Sequence, residues 1–577
     1  MRKIIKYLKD YKKESIIGPL FKMLEAIFEL LVPVIMAQII DIGIKNNDSR
    51  YIYHRGIILI LLGVIGLVCS LTAQYFAAVA SVGFGTKIRK DMFAHINRFS
   101  YSELDTIGTS TLITRITSDI NQVQAGVNMG LRLFLRSPFI VIGALIMAFT
   151  IHVKIALIFL ISVPILSIII YGIVFYCIPL YKKVQNKLDR VSQKTRENLV
   201  GVRVIRAFSK QNVETREFDE VSEDLLHTQA TVGRISALMN PLTYIVVNVA
   251  IIAIIWFGGI EVNIGSLTQG EVIALVNYMS QILLALITMS LLIVSLTKAT
   301  ASIARVNEVF DRTTSIVDGS VVIDNIEKSE VKVSFKDVSF SYENDSDTSL
   351  SDLSFDIKPG ETIGIIGGTG AGKTTLVNLI ARFYDVTKGA LLVDGINVKD
   401  YKLSTLRGKI GIVPQKAVLF KGTIRDNMKW GKKDATDEEI YEALDIAQAR
   451  EFVDSKAGGL DEEISQGGKN LSGGQRQRLT IARALVSKPE ILILDDSASA
   501  LDYATDAKLR KAIATKTKGM TVFIVSQRAT TIKNADRIIV LDEGKMVGFA
   551  KHEELLNTCE IYKEICLSQL SNEEVNR

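Results

Sequence analysis

Six stretches of the chain are almost uninterrupted apolar sequence, at Ile16–Ile40, Gly56–Ala80, Leu133–Ile151, Ile155–Ile178, Pro241–Val262 and Val272–Leu296. Each approaches the ~20 residues that a helix needs to cross a bilayer. Six crossings place both ends of the chain on one side. The connections 81–132 and 179–240 alternate polar and apolar residues at a helical period with few Gly or Pro breaks, so the spans should continue as helices beyond the membrane. At ~1.5 Å per residue each extension would reach ~35–40 Å. These connections are rich in base, with Lys87, Arg89, Lys90 and Arg115 in one and Lys182, Lys183, Arg190 and Arg203 in the other. The positive-inside bias makes them, and both termini, cytoplasmic. Lys45, Arg50, Arg55 and Lys154 on the opposite side are modest exceptions. Met1–Lys13 is basic and amphipathic, which suits an N-terminal elbow helix on the cytoplasmic face. From about Val331 the pattern changes to short β-rich segments alternating with helices, an α/β core with an antiparallel part. The expected plan is a helical membrane domain over 1–310, a linker over 311–330 and a soluble α/β domain over 331–577.

Composition agrees with this division. The 577 residues are 48% apolar yet 23% charged, and the mean hydropathy is +0.26, as a membrane half joined to a soluble half requires. Lipid-facing basic segments account for the net charge of +6 without a nucleic-acid partner. Cys69, Cys177, Cys559 and Cys566 are scattered without metal-ligand spacing, so they read as buried packing residues or free thiols.

The chemistry lies in the soluble half. Gly367-Gly368-Thr369-Gly370-Ala371-Gly372-Lys373-Thr374 fits G-x-x-x-x-G-K-[ST]. A strand at 362–366 feeds this loop and a helix leaves it, so backbone N–H groups and the helix dipole face a phosphate. Lys373 should reach the β- and γ-phosphates of ATP, with Thr375 nearby. Thr374 and Asp495, at the end of the apolar run Ile491–Leu494, should hold Mg²⁺. Leu471-Ser472-Gly473-Gly474-Gln475 precedes a long basic helix and forms a second anion site at a helix N-terminus.

Together these motifs resemble an ATP-binding cassette, and nearly the whole chain resembles a multidrug-type ABC exporter half-transporter of type I fold. The resemblance implies a six-helix all-α membrane domain with long cytoplasmic extensions, fused to an α/β P-loop ATPase. It implies that Tyr342 stacks on adenine, although a plain strand tyrosine is the alternative. It makes Gln415 a Mg²⁺-sensing Q-loop residue, and lets Asp502, in the D-loop Ser499–Asp502, pass nucleotide status between two sites. Ser472, Gly473, Gly474 and Gln475 would grip the γ-phosphate held by the other cassette of a dimer. Coupling helices would lie near 109–119 and 203–211, with Phe208 seated in a groove of the partner's ATPase domain or packed within its own helix pair.

Two catalytic positions depart from the family pattern. Asp496 stands where a Glu is usual, and Gln527 where a His is usual. Asp withdraws the carboxylate by one C–C bond, ~1.5 Å, and an amide has no titratable nitrogen. Gln466 likewise replaces a usual Glu ahead of the signature. The resemblance is therefore to the degenerate-site half of a heterodimeric exporter, whose intact signature completes the partner's catalytic site. A homodimeric lipid or peptide exporter, and a non-transporting ATP-binding regulatory subunit, are the alternatives. Expected partners are a second homologous half-transporter, the lipid of the cell membrane and an amphipathic small molecule. Glu25 and Glu29 share one face of the first span at i,i+4, either lining a cavity that favours cationic cargo or paired with another helix.

Overall fold

A computed structural model of the chain describes residues 6–322, 329–342 and 348–569; positions 1–5 of the expected elbow helix lie outside them. Two compact units result, one of Met1–Asn97 with Thr109–Arg312, the other of Arg98–Gly108 with Thr313–Arg577.

The first unit is helical. Among the described residues, six continuous helical stretches are long and apolar enough to cross a membrane: Lys6–Ile44, Ser49–Ile96, Thr109–Ile151, Val153–Val200, Gln211–Ile264 and Gln269–Asp311. Each contains one of the six apolar runs. We label α1 (Lys12–Gln38) and α2 (Ser49–Ile96), then α3 (Tyr101–Ile107), which belongs to the second unit. The first unit continues with α4 (Ile120–Leu133), α5 (Arg136–Ile151), α6 (Val153–Val200), α7 (Val202–Ala207), α8 (Gln211–Ala237), α9 (Met239–Ile264) and α10 (Gln269–Asp311).

Local chemistry sets the helix ends. The Asp48 carboxylate accepts from the Tyr51 N–H at 3.1 Å and starts α2. Thr268 and Glu271 form a capping box at the start of α10, where Asp41 also accepts from Thr268 Oγ1 at 2.6 Å and from the Gly270 N–H at 2.8 Å. Gly265, at φ +80°, closes α9 in the left-handed conformation that glycine adopts at little cost. Helices meet through small residues, with Ala26, Ala73, Ala77, Ala144, Ala148 and Ala274 fully buried, as expected where close approach replaces a hydrophobic driving force. Ile57, Ile60 and Ile168 point outward, as lipid-facing side chains do.

The short helices differ from expectation at one place. The region 109–119 is not a separate coupling helix; it is the start of a helix that runs on to Ile151. The short helix is α3, begun by the Ser100–Glu103 capping box and ended by Gly108 at φ +79°. It packs within the second unit: the Tyr101 ring lies 4.6 Å from that of Phe383, the Tyr384 hydroxyl donates to Asp105 at 2.6 Å, and buried Glu103 accepts from the Ser315 N–H at 2.8 Å. In the first unit, α7 lies inside the expected 203–211 region apart from Val202, and Phe208 follows it, 72% exposed. Packing within its own helix pair does not cover that ring.

The second unit contains two main sheets. Strands β1 (Val333–Phe340), β2 (Leu350–Ile357), β4 (Lys388–Val393) and β5 (Ile396–Asn397) form an antiparallel sheet in the order β2-β1-β4-β5, around β3 (Thr362–Gly367) in sequence. The second sheet adds β6 (Ile410–Val413), β9 (Ile491–Asp495), β10 (Thr521–Val525), β11 (Arg537–Asp542) and β12 (Lys545–Ala550) in the order β12-β11-β3-β10-β9-β6. The small pair β7 (Gly422–Thr423) and β8 (Glu463–Ile464) stands apart. All neighbours in the six-stranded sheet are parallel except β11 and β12. Strands β9 and β10 are buried at every residue, which explains their continuous rather than alternating apolar sequence. Ile363, Ile365, Ile493 and Phe523 pack into one core cluster and Ile366, Leu492, Leu494 and Ile524 into another. The four cysteines are all buried free thiols.

Candidate functional site

Strands β3, β6, β9 and β10 run parallel, so the loops that leave their carboxyl ends emerge on one edge of the sheet, where ligands of open α/β sheets bind. Those loops carry the candidate residues. After β3 comes the glycine loop, then α11 (Lys373–Ile380); after β6 comes Gln415, after β9 Asp496 and after β10 Gln527. A cleft of about 560 Å³ is lined by Tyr342, Thr369, Gly370, Gly372, Lys373, Thr374, Thr375, Gln415, Asp495, Asp496 and Gln527, and also by Thr348, Ser349, Ser526, Glu543 and Gly544. Its size suits a small-molecule ligand.

The glycines have specific work here. Gly372 has φ +91°, and a Cβ there would stand 2.6 Å from Leu350 Cδ2 and 2.9 Å from the Ser349 carbonyl. A Cβ on Gly367 would stand 2.1 Å from the Leu541 carbonyl. Gly370, at φ +84°, meets open space, so there the backbone angle rather than crowding demands glycine. Gly368 is exposed and Ala371 buried behind the loop.

Charge is arranged in opposed halves. The Lys373 ammonium donates to the carbonyls of Gly367, at 2.9 Å, and Gly368. Burial pushes its pKa down, against the pull of Asp496 and Asp495. Burial pushes the Asp495 carboxyl up; the Thr374 hydroxyl, donating at 3.1 Å, opposes this while Asp496 adds to it. A buried cation would gain from an anion beside it and a buried carboxylate from a metal ion, so these residues fit a triphosphate and a hard divalent cation. Thr374 and Asp495 supply the oxygen ligands that Mg²⁺ prefers. The Gln415 amide lies 3.4 Å from Asp496 Oδ2, at the outer limit of a hydrogen bond. The hydroxyls of Tyr342 and Thr375 are 3.0 Å apart, which leaves the tyrosine ring on the cleft wall.

Asp496 has φ +44°, in the left-handed region that Asp and Asn enter more readily than most residues. Its N–H donates to the Val525 carbonyl at 3.0 Å and its carbonyl accepts from Ser499 Oγ at 2.8 Å, so the backbone is fixed while the carboxylate faces the cleft.

The signature residues lie elsewhere in the unit. Ser472 caps α12 (Gly473–Leu485), with Gln475 returning the bond in a capping box. Gly474 abuts the D-loop, where an added Cβ would be 3.3 Å from the Ala500 carbonyl. Asp502 caps α13 (Tyr503–Lys516), accepting from the Thr505 N–H at 2.9 Å. Neither group lines the cleft. Glu25 and Glu29, in the first unit, are paired: Glu25 with Lys22, and Glu29 with Arg136 Nη2 at 2.7 Å. Arg136 Nε also lies 3.9 Å from Glu25. The acid pair is therefore neutralised by two bases, and the cationic-cargo reading loses the free carboxylates on which it relied.

Sequence reasoning missed Thr348, Ser349, Ser526, Glu543 and Gly544. Glu543 and Gly544 both have positive φ in the turn between β11 and β12, and an apolar run broken by Glu-Gly signals such a turn. Nothing local signals that the turn borders the cleft; it is brought there by the Ser351 N–H donating to the Gly544 carbonyl at 2.9 Å.

Comparison with known proteins gives concordant matches. A family described as "ABC transporter transmembrane region" matches residues 15–286, and one described as "ABC transporter" matches residues 350–499. An uncharacterized ABC transporter ATP-binding protein of Mycobacterium tuberculosis is 36% identical over 568 residues, 98% of this chain and 97% of its own. One of Bacillus subtilis is 36% identical over 573 residues, 99% of each chain. An ATP-dependent lipid A-core flippase of Desulfotalea psychrophila is 36% identical over 470 residues, 81% of each. The solved structure of a bacterial Atm1-family ABC exporter with ATP bound superposes with a TM-score of 0.79 at 21% identity, over 97% of this chain and 99% of that one, so the fold is shared.

Proposed function

The chain belongs to the ABC transporter family, and from that premise we propose that it is one half of a heterodimeric ATP-driven exporter whose own nucleotide site binds ATP but hydrolyses it weakly. The carrying observation is that Asp496 and Gln527 line the same cleft as Lys373, Thr374 and Asp495. The binding groups there are complete while the two groups that would act on water are replaced. Lys373 and the loop N–H groups hold the phosphates. Thr374 and Asp495 would hold Mg²⁺, which neutralises phosphate charge when bound. Asp496 sets its carboxylate ~1.5 Å short of a Glu, and misplacement of ~1 Å costs on the order of 10²-fold in rate. Gln527 has no ring nitrogen to contact a γ-phosphate. The signature at Ser472–Gln475 has the family pattern, and its capped helix N-terminus is suited to the γ-phosphate of a partner's ATP. Cargo is amphipathic, moved out of the cytoplasm by alternating access of the membrane domain.

The test is ATPase activity in lipid of the chain alone and after coexpression with a second, similar ABC-type chain. The proposal expects little turnover alone and strong turnover together. A second reading is a homodimer with two slow sites carrying lipid-like cargo; a relative of 36% identity named as a lipid A-core flippase supports the cargo part of it. Comparable turnover by the lone chain would instead favour the homodimer.

A further inference from the structure

The loop that carries Gln527 is held by two separate helices. From α13, Arg510 Nη1 donates to the carbonyls of Thr530, at 3.2 Å, and Thr531, at 3.1 Å. A second hold comes from the side-chain amide of Gln569, which ends a C-terminal helix, Glu560–Gln569. Its Nε2 donates to the Gln527 carbonyl at 2.7 Å and its Oε1 accepts from the Ala529 N–H at 2.9 Å. The intervening Arg528 N–H is taken by Ser526 Oγ at 2.9 Å. One amide thus pins both ends of the Gln527–Ala529 backbone.

The fit is specific to a primary amide, which presents donor and acceptor on one planar group. Its support is firm, because the same helix buries Tyr562 and Cys566 in the core, and the Tyr562 hydroxyl lies 2.7 Å from His552 Nδ1. Gln569 itself is exposed, so its removal opens no cavity.

We propose that Gln569 is a positioning residue for this chain's nucleotide site. It fixes the Ser526–Ala529 backbone so that Gln527 faces the cleft, and it thereby slows nucleotide release. The C-terminal helix, which lines no part of the cleft, becomes a determinant of how long ATP stays. The proposal rests on the reading of the cleft as an ATP site.

The experiment uses the full-length chain, assembled with its partner. Radiolabelled azido-ATP is bound with Mg²⁺, chased with excess ATP, and crosslinked by light at successive times; label on this polypeptide reports release from its own site. Gln569→Ala is expected to release about five- to tenfold faster, the effect of one or two ordinary hydrogen bonds. Gln569→Glu keeps the acceptor for Ala529 but turns an oxygen towards the Gln527 carbonyl, and should release at least as fast. Gln527→Ala should also accelerate release, and the Gln569→Ala/Gln527→Ala pair should be no faster than the faster single variant, because one acts through the other. Unchanged release in both Gln569 variants, or effects that multiply in the pair, would overturn the proposal. If Gln569→Ala fails to fold, Gln569→Glu, with its length and one bond kept, carries the test. Failure of the wild-type chain to label, with Lys373→Ala as the baseline, would instead overturn the ATP reading itself and the positioning role with it.

Discussion

In the proposed reading, one methylene at Asp496 separates holding a nucleotide from splitting it. Its backbone is fixed by Val525 and Ser499, so the side chain cannot compensate for its length by shifting the strand. Asp496→Glu with Gln527→His should therefore raise ATPase activity of the assembled transporter on the order of tenfold or more, read as phosphate release. Asp496→Ala should change it little, and a severe loss from Asp496→Ala would mean that this site is catalytic. That Gly370, Lys373 and Thr374 would stand together on one cleft was legible, because the motif has the fixed spacing of glycine, lysine and hydroxyl that phosphate binding demands. The partners of Glu25 and Glu29 were only half legible. Lys22, three residues before Glu25, is a visible helical neighbour, but Arg136 lies 107 residues from Glu29 and no local pattern connects them. Arg136→Met should leave two acids without their shared base and lower the thermal stability of the purified protein. Adding Glu29→Leu should recover part of that loss, since the second change removes one unpaired charge.

At the scale of elements, α3 is the instructive case. Its signals were present, with Ser100-x-x-Glu103 at one end and Gly108 at the other, yet the helical rhythm from Thr109 onwards competed and drew the expected short helix eight residues too late. Glu103 now explains what holds α3. Burial alone would raise its pKa, but donors from Ser100 and Ser315, side chain and backbone, outweigh burial and hold the carboxyl below its usual range. A carboxyl with a depressed folded pKa contributes stability that is fully present above the unfolded value, about 4.3, and is lost as pH falls through the folded one. Pepsin cleavage within 101–107 should accordingly rise as the pH drops below about 4.3. Glu103→Gln should weaken α3 docking by about 1.5–3 kcal/mol at neutral pH, seen as faster amide exchange over the same residues. Unaltered exchange in that variant would show that the Tyr101 and Tyr384 contacts suffice.

For the whole molecule, the division into a helical membrane part and an α/β part could be read from hydrophobic period alone, because lipid demands uninterrupted apolar helices and a doubly covered parallel sheet demands short apolar strands. What period could not reveal is that the second unit borrows eleven residues, Arg98–Gly108, from the first half of the chain. A fragment beginning at Thr313 would lack them and uncover Phe383 and Tyr384. A peptide of residues 98–108 should raise the melting temperature of that fragment by a few degrees once its concentration exceeds its dissociation constant; no shift at any concentration would mean that the contact contributes little. Among the labelled helices of the described residues, the two longest also differ in a way that matters for motion. Both α2 and α6 have 48 residues, but α2 contains no proline whereas α6 contains Pro164 and Pro179. At about 70 Å, α2 is more than twice as long as the hydrocarbon is thick, roughly 30 Å. It is a stiff lever: a rotation of about 5° about one end would carry the other by about 6 Å. Its counterpart α6, with two natural bending points, can yield where α2 must swing.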